Sequence, residues 1–284
     1  MDPLVVTQSL NVAFAVTTLV MVVLGLAVVF GWLGVMNLAH GEFVMLGAFV
    51  AVFVEQQGWP YLVAIPLTIL FCGVIGWVIE WVLIRPLYAR PFDLVLATWG
   101  LSILLREIVE AIYGGGFHSL RVPVRGSVDI LGASYPAYRL LIIVGTIILV
   151  GLMLIWYFKS GAAARVKAMV GNPELADAVG IQTSVLARNT FIFGTCLAGF
   201  AGVVIAPLTP VNPFMGLDFV INAFFVIIVG GLGSVLGLFT GAAIIGGLDS
   251  LVSAVLNRTS AFFLVLLVAI FFLWLRPRGI FSRT

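Results

Sequence analysis

The chain has 284 residues, of which 62% are apolar and 9% are charged. A soluble domain carries about a quarter charged residues, so the composition excludes a water-soluble globular protein. The net charge of +2 is too small to indicate a nucleic-acid partner, and both cysteines lie in apolar runs, which disfavours a disulfide framework or a metal site. The many glycines and aromatic residues instead predict an all-α, polytopic integral membrane protein.

Uncharged stretches long enough to cross a bilayer follow one another along the chain. A hydrocarbon core about 30 Å thick needs about 20 helical residues. With turns allowed inside the longer stretches, we predict about nine spans, in a range of about eight to ten, within one transmembrane domain covering residues 1–284. The first is expected to be a retained helix, because it lacks the basic start of a signal peptide. The predicted spans are residues 9–30, 41–54, 61–84, 93–113, 138–158, 189–208, 219–231, 236–256 and 261–276.

The distribution of Lys and Arg predicts the orientation. One side of the predicted spans receives Arg85, Arg90, Lys159, Arg165, Lys167, Arg188, Arg276, Arg278 and Arg283, and the other receives Arg121, Arg125, Arg139 and Arg258. By the positive-inside rule, the N-terminus lies outside and the C-terminus in the cytoplasm. Arg106 falls inside a predicted span, four residues before Glu110, and we expect these two side chains to pair.

Two segments outside the predicted spans are long. The outer segment, residues 114–137, is expected to be a solvated connector, with a docking face for an external protein as the alternative. The inner segment, residues 159–188, contains Asn172 as a candidate N-cap, Pro173 at the first helical position and Gly180 as a C-terminal stop. These signals predict a short helix outside the bilayer. A partner protein could grip such a helix, whereas an interfacial helix on lipid is disfavoured by its two acidic residues.

Two Gly-rich segments interrupt the predicted spans, near residues 31–42 and 230–241. Broken helices in two halves of a chain are a feature of transporters that have a central pathway. Polar groups there face a pathway, or they serve close packing and helix capping; the sequence favours neither. The candidate pathway residues are Asn37, His40, Gly41, Glu42, Gly230, Gly231, Gly233 and Ser234.

The sequence lacks the motifs that several kinds of chemistry require. No nucleotide-binding glycine loop precedes either lysine, and no segment gathers metal ligands or a nucleophile with its base. We therefore expect no enzyme activity and no metal site or cofactor in this chain. The spans also lack the series of carboxylates expected of a proton-driven carrier, so the energy for any pumping must come from another subunit.

Five segments resemble the permease subunits of branched-chain amino acid ABC importers, in particular the shorter permease of the leucine, isoleucine and valine system. They are MNLAHGEFVMLGA (36–48), GNPELADAVGI (171–181), LAGFAGV (197–203), VGGLGSVLGLFTGA (229–242) and RPRGIF (276–281). Two further segments, RPLYARP (85–91) and LATWGLS (96–102), look closer to the urea and short-chain amide branch of that family.

The resemblance implies a half-pore of the type II importer arrangement in the bacterial inner membrane. The implied partners are a second, homologous permease, either a copy or a paralogue, two cytoplasmic ATPase subunits that hold ATP and Mg, and a periplasmic binding protein. Residues 114–137 would then be periplasmic and residues 159–188 cytoplasmic. The family's coupling segment corresponds to Asn172, Pro173, Glu174, Leu175, Ala176, Asp177, Ala178 and Gly180.

The implied mechanism is alternating access, in which the ATPase subunits move the coupling helices and the two permease halves rock. Because no fixed charge is evident deep in the spans, the cargo is expected to be small and neutral: a branched-chain amino acid, urea or a short-chain amide. The rival hypothesis is a passive channel or facilitator for a neutral solute. A secondary carrier is a third possibility, and it would require a buried titratable group.

Overall fold

The structure, a computed structural model, describes residues 2–88, 90–231, 234–276 and 279–281. It is almost entirely helical, and one short hairpin is its regular β-structure among these residues. The elements are α1 (Pro3–Leu33), α2 (His40–Gln56), α3 (Ala64–Ile79), α4 (Pro91–Tyr113), β1 (Ser127–Ile130), β2 (Ala133–Pro136), α5 (Ala137–Lys159), α6 (Ala162–Gly171), α7 (Pro173–Ala178), α8 (Thr183–Ile205), α9 (Met215–Gly230), α10 (Val235–Val255) and α11 (Arg258–Leu275). A 3-10 turn precedes α3, π-helical and 3-10 turns extend it to Leu87, and a 3-10 turn extends α8 to Leu208.

All nine predicted spans coincide with helices. Six helical stretches within the described residues are long and apolar enough to cross a membrane: Pro3–Leu33, Tyr61–Leu87, Ala137–Lys159, Thr183–Leu208, Val235–Val255 and Arg258–Leu275. The other three predicted spans lie on α2 and α9, which have 17 and 16 residues, and on α4, which carries several charges. The chain is therefore an all-α, multi-pass membrane protein, and six spans satisfy the criteria of length and composition.

Both long segments between spans contain more structure than the sequence predicted. In the outer segment, β1 and β2 form an antiparallel hairpin. Tyr135 of β2 is buried, and its hydroxyl donates to the carbonyl oxygen of Leu10 or to Asn11 Oδ1, both at 3.2 Å. In the inner segment the predicted short helix is present as α7, and α6 precedes it.

The contacts divide the chain into two compact units, and the divisions fall inside α1, α5 and α9. One unit comprises residues 1–23, 121–147 and 221–284, and includes the hairpin, α10 and α11. The other comprises residues 24–120 and 148–220, and is organised around α2 and α8. The candidate residues at the first helix break and in the inner segment belong to the second unit, and those at the second break belong to the first.

Helices α2 and α8 lie close together because glycines line their contact. A Cβ at Gly47 would collide with the carbonyl oxygen of Gly199, and one at Gly202 with the carbonyl oxygen of Val44. Lipid tails are as apolar as leucine, so helices in a bilayer associate through such close backbone packing. Most of α2 is buried as a consequence, and α2 forms the centre of its unit.

Replacement of Gly202 by alanine should destabilise the protein by about 1 to 3 kcal/mol, because the added methyl group meets backbone rather than a movable side chain. The matched control is Gly100→Ala in α4, where a Cβ meets open space and alanine favours the helix. The apparent melting temperature in detergent should fall for the first variant and stay equal or rise for the second. Equal melting temperatures for both variants would contradict the packing.

Candidate functional site

The first helix break, residues 34–39, lies between α1 and α2 and is held by side chains. Gly34 allows the break with a φ of +67°, a value that glycine adopts at little cost. The Asn37 side chain accepts a hydrogen bond from the Ala39 N–H at 3.0 Å, and the Leu38 N–H donates to Thr98 Oγ1 of α4 at 3.3 Å. Two backbone donors that the break frees are therefore satisfied without water.

The residues that follow the break are packed inside the protein. Asn37, His40 and Glu42 are each at most 1% exposed. Gly41 contacts the backbone of Gly216 in α9, where any side chain on either glycine would collide. The four pathway candidates of the first break therefore form one buried group, and close packing accounts for the requirement for glycine at position 41.

Glu42, in the first turn of α2, is the centre of a buried polar cluster with α4. Its Oε1 accepts from Ser102 Oγ at 2.7 Å and from Arg106 Nη2 at 3.3 Å, and Arg106 Nη2 also lies 3.2 Å from Ser102 Oγ. The Arg106 guanidinium lies over the Phe214 ring, 5.4 Å from its centroid. The cluster holds two opposite charges where hydrocarbon alone would make each of them very costly.

The expected pairing of Arg106 with Glu110 is wrong: Arg106 pairs with Glu42 instead. The prediction used only the spacing within one helix, whereas the partner lies 64 residues away on α2. The Glu42–Arg106 pair places two fixed charges inside the protein, and together they carry no net charge. A signal was present in the sequence: Thr98, Ser102 and Arg106 recur every four residues, and so form a polar stripe on one face of an apolar helix.

The second helix break lies between α9 and α10, as predicted. Gly231 has a φ of +102°, and a Cβ on Gly230 would collide with the carbonyl oxygen of Gly237. Ser234 caps α10, because its Oγ accepts from the Gly237 N–H at 3.1 Å. The N–H groups of Ile280 and Phe281 donate to the carbonyl oxygens of Val229 and Gly230, both at 3.1 Å. Two carbonyl groups at the C-terminal end of α9 thereby gain hydrogen-bond partners. Gly233, the remaining pathway candidate, lies outside the described residues.

Helix α7 has the caps that the sequence predicted. Asn172 Oδ1 accepts from the Leu175 N–H at 3.0 Å, and Pro173 is the first helical residue. Gly180 stops the helix with a φ of +90°, and the Ile181 N–H donates back to the carbonyl of Ala176 at 2.9 Å. Satisfied backbone groups at both ends make this six-residue helix a well-defined element.

One side of α7 is held and the rest is exposed. Ala176 is buried, whereas Asn172, Pro173, Glu174, Leu175, Asp177, Ala178 and Gly180 are exposed. The exposed apolar side chains include Leu175 at 61% and Val179 at 69%, which are four residues apart and so lie on one face. Val179 was not among the predicted coupling residues, although its spacing from Leu175 was visible in the sequence.

Asp177 has a structural role that the sequence did not reveal. Its carboxylate accepts from the Thr183 N–H at 3.0 Å and from Thr183 Oγ1 at 2.8 Å, at the first residue of α8. These two hydrogen bonds hold the pKa of Asp177 below its usual 3.8. The carboxylate therefore fixes α7 to the start of α8.

Apolar helices broken around buried polar groups, with a capped helix outside them, are the architecture of a membrane transport subunit. The family model described as the permease component of branched-chain amino acid transport systems matches residues 8–275. The chain belongs to this family.

The names of individual relatives agree with the description of the family. The high-affinity branched-chain amino acid transport system permease protein LivH of Escherichia coli is 28% identical over 288 residues, which cover 94% of this chain and 92% of that protein. The corresponding protein BraD of Pseudomonas aeruginosa is 26% identical over 294 residues, with the same coverage. A probable branched-chain amino acid transport permease protein LivH of Methanocaldococcus jannaschii is 28% identical over 250 residues, which cover 83% of this chain and 77% of that protein. No solved structure matches the chain.

Glu42→Ala should destabilise the protein by about 3 to 5 kcal/mol, because it leaves the Arg106 guanidinium buried without its carboxylate. The double variant Glu42→Met with Arg106→Met should recover most of that loss, since it removes both charges. Glu107→Ala, at an exposed position on the same helix, is the matched control. The measurement is the apparent melting temperature in detergent, and a Glu42→Ala variant as stable as the control would rule out the cluster.

Asp177→Asn should speed hydrogen exchange at the Thr183 amide, because a neutral amide accepts more weakly than a carboxylate. In the wild type, this carboxylate has a lowered pKa, so its contribution is fully present above 3.8 and is lost as the pH falls through the lowered value. Exchange measured by mass spectrometry, corrected for intrinsic rates, should show constant protection from pH 7 to about pH 5. Glu174→Gln, at an exposed position of α7, is the control, and equal acceleration in both variants would contradict the assignment.

Proposed function

We propose that this chain is the membrane-embedded permease subunit of an ATP-driven importer for branched-chain amino acids. The observation that carries the proposal is the family match over residues 8–275, with relatives named for branched-chain amino acid transport over almost the whole chain. Those names support branched-chain amino acids as the cargo. They give no support to urea or short-chain amides, nor to a passive facilitator.

The chemistry of the first break suits such a cargo. A branched-chain amino acid is a zwitterion with no net charge. The Glu42–Arg106 pair likewise combines one negative and one positive charge inside the protein. Glu42 Oε2 and Asn37 Nδ2 are buried without a hydrogen-bond partner, so each keeps capacity for a ligand. We therefore propose that Asn37 and Glu42 line the pathway when it opens, together with their neighbours His40 and Gly41. Gly230, Gly231, Gly233 and Ser234 at the second break remain proposed as further lining.

Helix α7 is the proposed contact with the ATPase subunits. Its caps make it rigid, and Leu175 and Val179 expose an apolar face beside the acidic Glu174. A short helix with an apolar face fits a groove on a partner protein, and the Asp177–Thr183 hydrogen bonds would pass its displacement directly to α8. In this scheme Glu174, Leu175 and Ala178 touch the ATPase, while Asn172, Pro173, Ala176, Asp177 and Gly180 shape the helix.

The proposed assembly completes the transporter. This permease would pair with a second, homologous permease, two cytoplasmic ATPase subunits would hold ATP and Mg, and a periplasmic binding protein would deliver the cargo. The bias of Lys and Arg supports a cytoplasmic inner segment, an external N-terminus and the cytoplasmic membrane as the location. A type II arrangement with about nine spans would also use the shorter helices α2 and α9 and the charged helix α4.

Leu175→Ser combined with Val179→Ser should weaken coupling without affecting membrane insertion. Loss of two apolar anchors from a docking surface costs about 2 kcal/mol or more, so leucine uptake by proteoliposomes that contain the whole importer should fall about tenfold or further. Ala176 and the Asn172 cap remain, so α7 keeps its fold. The matched control is Val128→Ser, a half-exposed valine on β1. Normal uptake and a full complement of bound ATPase in the double variant would exclude α7 as the contact.

A further inference from the structure

Helix α8 has two different faces. Its small residues meet other helices: Gly194 contacts α1, Gly199 contacts α3 and Gly202 contacts α2. The other face carries a bulky stripe at intervals of three and four residues: Asn189, Ile192, Phe193, Cys196, Leu197 and Phe200. Leu197 of this stripe is buried and Cys196 contacts α3, whereas Asn189, Ile192, Phe193 and Phe200 are exposed or partly exposed.

This stripe forms the floor of a groove of about 480 Å³. Ile69 of α3 and Leu149 of α5 form its walls, and Cys196 Sγ donates a hydrogen bond to the Ile69 carbonyl oxygen at 3.4 Å. The volume lies in the range of small-molecule sites, about 300 to 1,000 Å³. Phe200 is eleven positions after Asn189 on the helix, so the groove is about 16 Å long, close to half the thickness of a bilayer core of about 30 Å.

Polar groups gather at only one end of the groove, the end next to the segment 159–188. Asn189 lies there on α8, and Lys159 is the exposed last residue of α5. Trp156 lies one helical turn before Lys159, is 50% exposed, and has its ring centroid 6.0 Å from that of Phe193. Tryptophan and lysine in this order mark the level at which lipid headgroups begin.

We propose that the groove binds one acyl chain of an anionic phospholipid, whose headgroup lies against Lys159 and Asn189. A lining of mostly bulky, apolar side chains fits a flexible chain, whereas contacts between membrane helices are enriched in small residues. The ammonium of Lys159 and the amide of Asn189 can both donate to a phosphate.

The first test is retention of lipid by the purified importer complex, measured by native mass spectrometry after exposure to equimolar phosphatidylglycerol and phosphatidylcholine. The wild type should keep phosphatidylglycerol with a preference of about fivefold, the factor expected for one lysine beside an anionic headgroup. Lys159→Gln should keep lipid but lose the preference, whereas Lys167→Gln, a basic residue of α6, should behave as the wild type. Equal retention of the two lipids by the wild type would overturn the proposal.

The groove itself is tested by filling it. Cys196→Phe places a ring among Ile69, Ile192 and Phe200, and should reduce retention of phosphatidylglycerol about tenfold. Leu267→Phe, at an exposed position on α11, is the matched control for adding a ring to a lipid-facing helix. Retention by Cys196→Phe equal to that of the control would overturn the groove as the site.

Labelling of Cys196 distinguishes a lipid from a protein occupant. Cys196 is partly exposed in the groove, whereas Cys72 is buried and serves as the internal reference. In the delipidated complex a membrane-soluble maleimide should label Cys196, and added phosphatidylglycerol should protect it. If Cys196 is labelled in the isolated chain but blocked by assembly with the second permease, a neighbouring subunit occupies the groove and the proposal is wrong.

Discussion

A helix that breaks inside a hydrocarbon layer exposes backbone N–H and C=O groups where no water can satisfy them, at a cost of several kcal/mol for each group. This constraint determines the residues around both breaks. At the first, Asn37 and Thr98 accept backbone hydrogen bonds. At the second, Ser234 caps one helix, and the backbone of Ile280 and Phe281 completes the end of the other.

Glycine is the second requirement of this architecture, because helices in a bilayer gain little from the hydrophobic effect and must approach closely. Gly47, Gly199 and Gly202 allow backbone contact between α2 and α8. At the start of α2, Gly41 contacts the backbone of Gly216 in α9, and a Cβ on Gly216 would also meet Glu42 Oε2. The polar cluster with Ser102 and Arg106 thus lies against a glycine that takes no part in its hydrogen bonds.

The features that local sequence encodes were predictable. Each span that was predicted from a run of apolar residues lies on a helix, and Asn172, Pro173 and Gly180 predicted α7 through its caps. Tertiary partners were not predictable, as the pairing of Arg106 with Glu42 and of Asp177 with Thr183 shows. The hairpin was missed because its turn has Leu131 at a φ of +50° before Gly132, where Asn or Asp would have given the usual signal. Asn172 is both the C-cap of α6 and the N-cap of α7. The sequence signal at Asn172 was assigned to α7 alone, and α6 was therefore missed.

We propose that this permease moves its cargo only when separate ATPase subunits act on α7. Leucine uptake into proteoliposomes that contain the complete importer and its binding protein, with and without ATP on the ATPase side, tests this coupling. Leucine should accumulate above the external concentration with ATP, and uptake should be negligible without it. Equilibration of leucine through this chain alone, at the full rate and without any nucleotide, would show that the permease needs no ATPase.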